Sequence, residues 1–149
     1  MLLGDKSIEP RDNLIRLYPQ KNLFSHIIGQ IDNENNGISG LEKSLDEKLK
    51  KTSTPIKLTV DKDIQYLIRE ELIKFNKIFN SKGSAAILMN VNNGEILSLV
   101  SLPDFDPNKR KDISDVIYIN RSLKYVFGSI IFSSNAAARV KVLNTEPNS

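Results

Sequence analysis

The sequence predicts an α+β fold, and three observations predict it. Ser39-x-x-Glu42 followed by leucines at every fourth position marks one helix, apolar residues spaced three, four and seven apart mark a longer one, and two apolar runs meet across Asn92-Asn93-Gly94 as a hairpin. A chain of 149 residues buries about two thirds of its unfolded surface, enough for one complete core or for parts of two.

The first forty residues read as short pieces broken by turns. Leu14, Ile15 and Leu17 make an apolar patch, residues 19–22 turn, and the run 23–31 reads as a buried strand. Asp32-Asn33-Glu34-Asn35-Asn36-Gly37 ends that run, because Asn, Asp and Gly tolerate positive φ and bond their own backbone. Ser39 and Glu42 then form a capping box that starts a helix at Gly40, with Leu41, Leu45 and Leu49 inward and an end near Lys51. Residues 52–55 are polar and close on Pro55, which pushes its predecessor out of the helical region; the boundary between two units is drawn there.

Residues 56–60 alternate as a short strand. Asp61 caps the next helix, with Asp63 at the positive end of its macrodipole. That helix spans about 62–80 and carries Ile64, Leu67, Ile68, Leu72, Phe75 and Phe79 on one apolar face, with Gly83 suited to the stop after it. Residues 84–91 and 95–100 pair as an antiparallel hairpin, since both central residues of a tight Asn-Gly turn need positive φ. Each strand is apolar on both faces, so helices cover the sheet on both sides. Beyond Asn120 the pattern weakens, and residues 139–149 end polar with no sign of a core partner.

Composition excludes several chemistries. The formal net charge is +3, but Lys is interleaved with acids and no basic stripe carries aromatics to stack bases, so nucleic acid is not a partner. Cysteine is absent, which removes disulfides, thiolate metal sites and a thiol nucleophile. No apolar run reaches the roughly 18 to 20 residues that span a bilayer, and the start of the chain lacks an apolar signal core. His26, the one histidine, sits inside an apolar run and reads as structural. Asp104 and Asp106 flank a turn without metal-ligand spacing, and Gly37-x-x-Gly40 lacks the rest of a phosphate loop. No metal and no cofactor follow from these residues.

One ordered set of motifs goes further. Arg16-x-Tyr18-Pro19, His26-Ile27-Ile28-Gly29, Gly37-Ile38-Ser39-Gly40-Leu41-Glu42, Leu58-Thr59-Val60-Asp61 with Gln65, Gly94-Glu95-Ile96-Leu97 and Pro103-Asp104-Phe105-Asp106-Pro107-Asn108 resemble class B penicillin-binding proteins of the septal type. Asn120-Arg121 extends the match, which runs over about residues 14–129. The resemblance implies a non-catalytic pedestal in residues 1–55 and the start of a truncated transpeptidase domain in 56–129, with 130–149 a tail of uncertain origin.

It also implies, for the parent, a peptidoglycan D,D-transpeptidase that acylates a serine with a stem peptide and is trapped by β-lactams. Division proteins are its implied partners, and the inner membrane with a periplasmic domain is its implied place; lacking a visible signal or anchor, this chain itself is expected in the cytoplasm. Ser129 stands where the family nucleophile stands, but Phe132 replaces the lysine of Ser-x-x-Lys. A serine hydroxyl needs a neighbouring base to take its proton, and phenylalanine cannot do so. Neither Ser-x-x-Lys nor a Lys-Thr-Gly or Lys-Ser-Gly segment occurs in the 149 residues, and Ser133-Ser134-Asn135 comes too soon after Ser129 for the family's Ser-x-Asn. The expectation is therefore an inactive fragment, shifted in frame after about Phe127. The alternatives are a retained interaction module docking on division proteins or on a separately encoded catalytic half, and a small enzyme built on Ser129 or His26.

Overall fold

Asp61 begins the main helix as expected, its carboxylate accepting from the N–H groups of Asp63 and Ile64 at 2.9 Å each. The computed structural model describes residues 15–109, 115–124 and 138–144. A 3-10 turn at Lys21–Phe24 leads into α1 (Ser25–Ile28), then come α2 (Gly40–Ser44), α3 (Asp46–Lys51), α4 (Lys62–Phe79), the strands β1 (Ser84–Asn90) and β2 (Ile96–Leu102), the short helices α5 (Asp115–Tyr118) and α6 (Arg121–Lys124), and β3 (Ala138–Asn144). The α+β class and the antiparallel hairpin hold.

β1 pairs antiparallel with β2 from Ser84 opposite Leu102, with a bulge at Leu88/Met89. α4 lies on one face of this pair, where Leu72, Ala86, Val100 and Leu102 form the buried core, with Ile68 and Ile73 packed against it. From the other side of the sheet, Arg121 donates its backbone N–H to the Ser101 hydroxyl at 2.9 Å. Residues beyond 138, for which the sequence offered no core partner, add a strand: β3 lies antiparallel on the opposite edge of β1, giving the order β2-β1-β3. In its register Val140 and Val142 stand opposite Leu88 and Ala86.

Several expectations are corrected. The run 23–31 is not a strand but the 3-10 turn and α1, with only Ile31 forming an isolated bridge to Gly37. A short continuous apolar run suits a helix or a strand equally, and this one is half-buried or buried at every position, with no alternation to mark a strand. The turn it leads into is as expected, held by Asp32, which accepts from the N–H groups of Glu34 and Asn36 at 2.8 Å each.

The capping box does not form. The Ser39 hydroxyl accepts from Gln30 N–H instead, and the Glu42 carboxylate is taken by Arg16. The helix after it breaks at Leu45 (φ −117°, ψ 16°), leaving α2 and α3. Residues 56–60 show the expected alternation of burial but no ladder; Thr59 donates its hydroxyl to Ile96 O at 2.8 Å, and Asp61 its N–H to Leu97 O at 2.9 Å.

The face of α4 is rotated from the expected one. Leu67 and Phe79 are 61% and 59% exposed, whereas Gln65 is 1% exposed and points inward with Leu72. Asn80, at φ 49°, ends the helix; Gly83 lies beyond it, against Arg121. In the hairpin loop only Gly94 has positive φ (76°), because Val91 to Gly94 form a four-residue loop closed by Asn90 N–H to Glu95 O.

Candidate functional site

The motifs spread along 100 residues of sequence converge in space. Arg16 holds Glu42 with two prongs, its Nε on Oε1 and its Nη2 on Oε2, both at 3.1 Å, and Glu42 is buried. Such a fork is the strong form of an Arg–carboxylate bond. Gly29 and Gly40 bring two loops into backbone contact: a Cβ on Gly29 would overlap the Ser39 carbonyl, and one on Gly40 would meet Gly29 N.

Asn108 reaches back across 90 residues to Tyr18. Its Oδ1 accepts from Tyr18 N–H at 3.0 Å and its Nδ2 donates to Tyr18 O at 2.9 Å. Asp104 accepts from Asn22 Nδ2 at 3.0 Å and from Arg69 Nε at 2.6 Å, and that bond holds the Arg69 guanidinium above its ordinary pKa. Turn chemistry thus accounts for Asp106, which accepts from the N–H and Nδ2 of Asn108, but not for Asp104, which ties α4 to the segment before α1.

His26 sits in the same junction. Its Nε2 lies 3.2 Å from Pro103 O, and since a carbonyl only accepts, Nε2 carries the proton. Its ring meets Phe105 edge-on, with centroids 5.2 Å apart. Burial pushes the imidazole below its usual pKa, opposed by the Pro103 bond and the Asp104 charge and reinforced by Arg121. Asn120 adds a bond from Nδ2 to His26 O at 3.3 Å.

Gln65 completes the junction. Its Nε2 donates to Leu99 O (2.8 Å) and to Leu23 O (3.0 Å), while its Oε1 accepts from Leu99 N–H (2.9 Å) and from the Ser98 hydroxyl (2.7 Å). Sequence reasoning assigned no role to Gln65, Arg69, Asn108 or Asn120. The readable signal was at Gln65, a polar residue three and seven positions before Ile68 and Leu72 on the inward stripe.

Chemically, these bonds orient the segments they join. A cleft of about 180 Å³ opens between Arg16, Tyr18, Pro19, Phe24, Ile28 and Pro107, with apolar walls and no nucleophile–base pair along it. Among the described residues no three His, Asp or Glu side chains group to hold a metal ion. Ser129 and Phe132, and with them Ser133 to Asn135, lie outside the described residues. No helix among the described residues is long and apolar enough to cross a membrane.

No protein-family model matches the chain. It is similar to a probable peptidoglycan D,D-transpeptidase FtsI of Caulobacter vibrioides, 34% identical over 116 residues that cover 75% of this chain and 20% of that protein. It is also similar to stage V sporulation protein D of Bacillus subtilis, 30% identical over 145 residues that cover 79% and 22%. The chain thus spans about a fifth of the length of the curated relatives it matches. Among solved structures, apo penicillin-binding protein 3 of Mycobacterium tuberculosis aligns with a TM-score of 0.57 and 30% identity, covering 64% of this chain and 24% of that one. The same protein has been solved with aztreonam and with ampicillin.

Proposed function

This chain is a homologue of the class B penicillin-binding proteins, the peptidoglycan D,D-transpeptidases of cell-wall synthesis and division, and from that premise we propose that it forms the junction between a pedestal and the first strands of the transpeptidase sheet. The observation that carries this reading is the meeting of the motifs: Arg16 on Glu42, Asn108 on Tyr18, and Gln65 on Leu99. Each is a bond between segments far apart in sequence, which is what a part that positions a catalytic domain requires. On this reading the substrates of the parent enzyme are peptidoglycan stem peptides and its partners are division proteins, at the periplasmic side of the inner membrane.

The chain itself does not acylate. Phe132 stands three residues after Ser129, where the family has lysine, and no Ser-x-x-Lys occurs elsewhere in the 149 residues. Without an adjacent base a serine hydroxyl is a poor nucleophile at neutral pH. Incubating the full chain with benzylpenicillin and weighing the intact protein tests this. The expected spectrum shows the unmodified mass alone; a stoichiometric adduct mapped to Ser129 overturns the inactive reading.

A further inference from the structure

Two Asn-Gly pairs stand in this chain, Asn36-Gly37 and Asn93-Gly94. Such a pair can close on itself, the glycine nitrogen attacking the asparagine side-chain carbon, because glycine puts no side chain in the way. The attack is helped by an acceptor for the proton on that nitrogen and by a positive charge at the amide oxygen, where negative charge develops.

At Asn36 the fold supplies both. Gly37 N–H donates to Asp46 Oδ1 at 2.9 Å, so the attacking nitrogen lies against a carboxylate. Asn36 Oδ1 accepts from Lys50 Nζ at 2.8 Å, so the oxygen that gains charge lies against an ammonium. The same ammonium donates to Asp46 Oδ2 at 2.7 Å, which ties base and cation together on α3. Asn36 Nδ2, the nitrogen that would leave, donates to Asp32 Oδ2 at 3.0 Å. The bonds from Lys50 and from Gly37 N–H hold the Asp46 carboxyl below its usual pKa, so it is an ionised acceptor at neutral pH. A Cβ at Gly37 would overlap the Glu42 carbonyl, so the residue that packing requires is also the one that leaves the nitrogen open.

Asn93 is the more exposed of the two and has neither charge at its reacting atoms. Gly94 N–H donates to the neutral Asn90 O at 2.8 Å, and Asn93 Oδ1 accepts from Glu95 N–H at 3.0 Å. Its Nδ2 donates to Glu95 Oε2 at 2.8 Å.

We propose that Asn36 is a self-modification site: Gly37 N cyclises its side-chain amide and water reopens the ring, with Asp46 as base and Lys50 as the charge that stabilises the oxyanion. The bond from Gly37 N to Asn36 Cγ forms as Asp46 takes the nitrogen's proton. The Cγ–Nδ2 bond then breaks, and Nδ2 takes up that proton and leaves as ammonia. Water splits the resulting succinimide to aspartate or isoaspartate at position 36. Lys50 does not itself attack, because an ammonium has no lone pair. The product sets a second carboxylate against Asp32 in place of the Nδ2 donor, which loosens the turn at 32–37. The proposal rests on these contacts and is independent of the function proposed above.

The test holds the full chain at neutral pH and follows both Asn-Gly sites by peptide mapping with mass spectrometry, separating aspartate from isoaspartate. In the folded chain Asn36 is expected to convert roughly tenfold faster than Asn93; in urea, where Asp46 and Lys50 are no longer brought to it, the two rates become equal. Asp46→Asn keeps an acceptor for Gly37 N–H but removes its charge, and Lys50→Gln removes the cation. Each is expected to slow Asn36 severalfold and to leave Asn93 unchanged. Should either variant fail to fold, the ratio of the two sites in the folded parent against that in urea decides alone. Conversion at Asn36 no faster than at Asn93 in the folded parent overturns the proposal, as does a folded variant that converts at the parent's rate. A peptide in which Lys50 is joined to residue 36 also overturns it, since Lys50 would then be the nucleophile.

Discussion

His26 is read correctly by a simple argument and its consequence is measurable. A lone histidine in an apolar run is held for packing, and here its ring is bonded to Pro103 O and stacked edge-on against Phe105. Burial holds its folded pKa below the ordinary 6.5 of the unfolded chain. The unfolded state therefore takes up a proton first as pH falls, so this group's stabilising contribution is complete above pH 6.5 and is lost as pH drops toward and through the depressed folded value. Thermal unfolding of the parent between pH 7.5 and pH 5 is expected to show a falling midpoint. His26→Gln flattens that part of the profile, and a parent curve level across the window contradicts the assignment.

Elements were legible where their signal is local. α4 was, since Asp61 and the spacing of Ile64, Ile68 and Leu72 are sufficient to start it and bury it. The hairpin was, although only Gly94 takes positive φ. The segment 23–31 was not, because a short apolar run carries no period that separates helix from strand. Ser39 and Glu42 were misread for a related reason: they fit a capping box by spelling, yet Gln30 and Arg16 are better partners supplied from elsewhere in the chain. Two glycines make the distinction testable. Gly29 (φ 81°) lies against Ser39, whereas Gly94 (φ 76°) has open space around its Cβ position. Gly94→Ala is expected to cost about 1 kcal/mol from backbone strain alone. Gly29→Ala adds the displacement of a second loop and is expected to cost about 3 kcal/mol or more, read by urea unfolding of both variants. Equal losses would show that the contact with Ser39 contributes nothing.

At the scale of the whole molecule, residues 15–51 are bound to the sheet by Tyr18 on Asn108, Asn22 on Asp104, Leu23 on Gln65 and His26 on Pro103, although residues 52–55 between them are exposed. Bonds of this kind couple the two halves into one cooperative unit. Asn108→Ala removes both bonds to the Tyr18 backbone and is expected to lower the unfolding free energy by about 1–3 kcal/mol. Tyrosine fluorescence and far-UV circular dichroism should still report a single coincident transition in the variant. Two separated transitions in the parent chain would mean that the halves fold independently and that these bonds do not couple them.

By itself the sequence determined the α+β class, the capped main helix, the hairpin and the family likeness, because periodicity, caps, turn residues and motif order are written in neighbouring positions. Only the tertiary structure decided what the motif residues do. Gln65 becomes the bridge from α4 to Leu23 and Leu99, Asp104 an ion-pair anchor and Glu42 the partner of Arg16 through bonds that span 26 to 42 residues, and no local pattern encodes a partner at that distance. The same holds for β3, whose place beside β1 depends on a register that only the folded sheet provides.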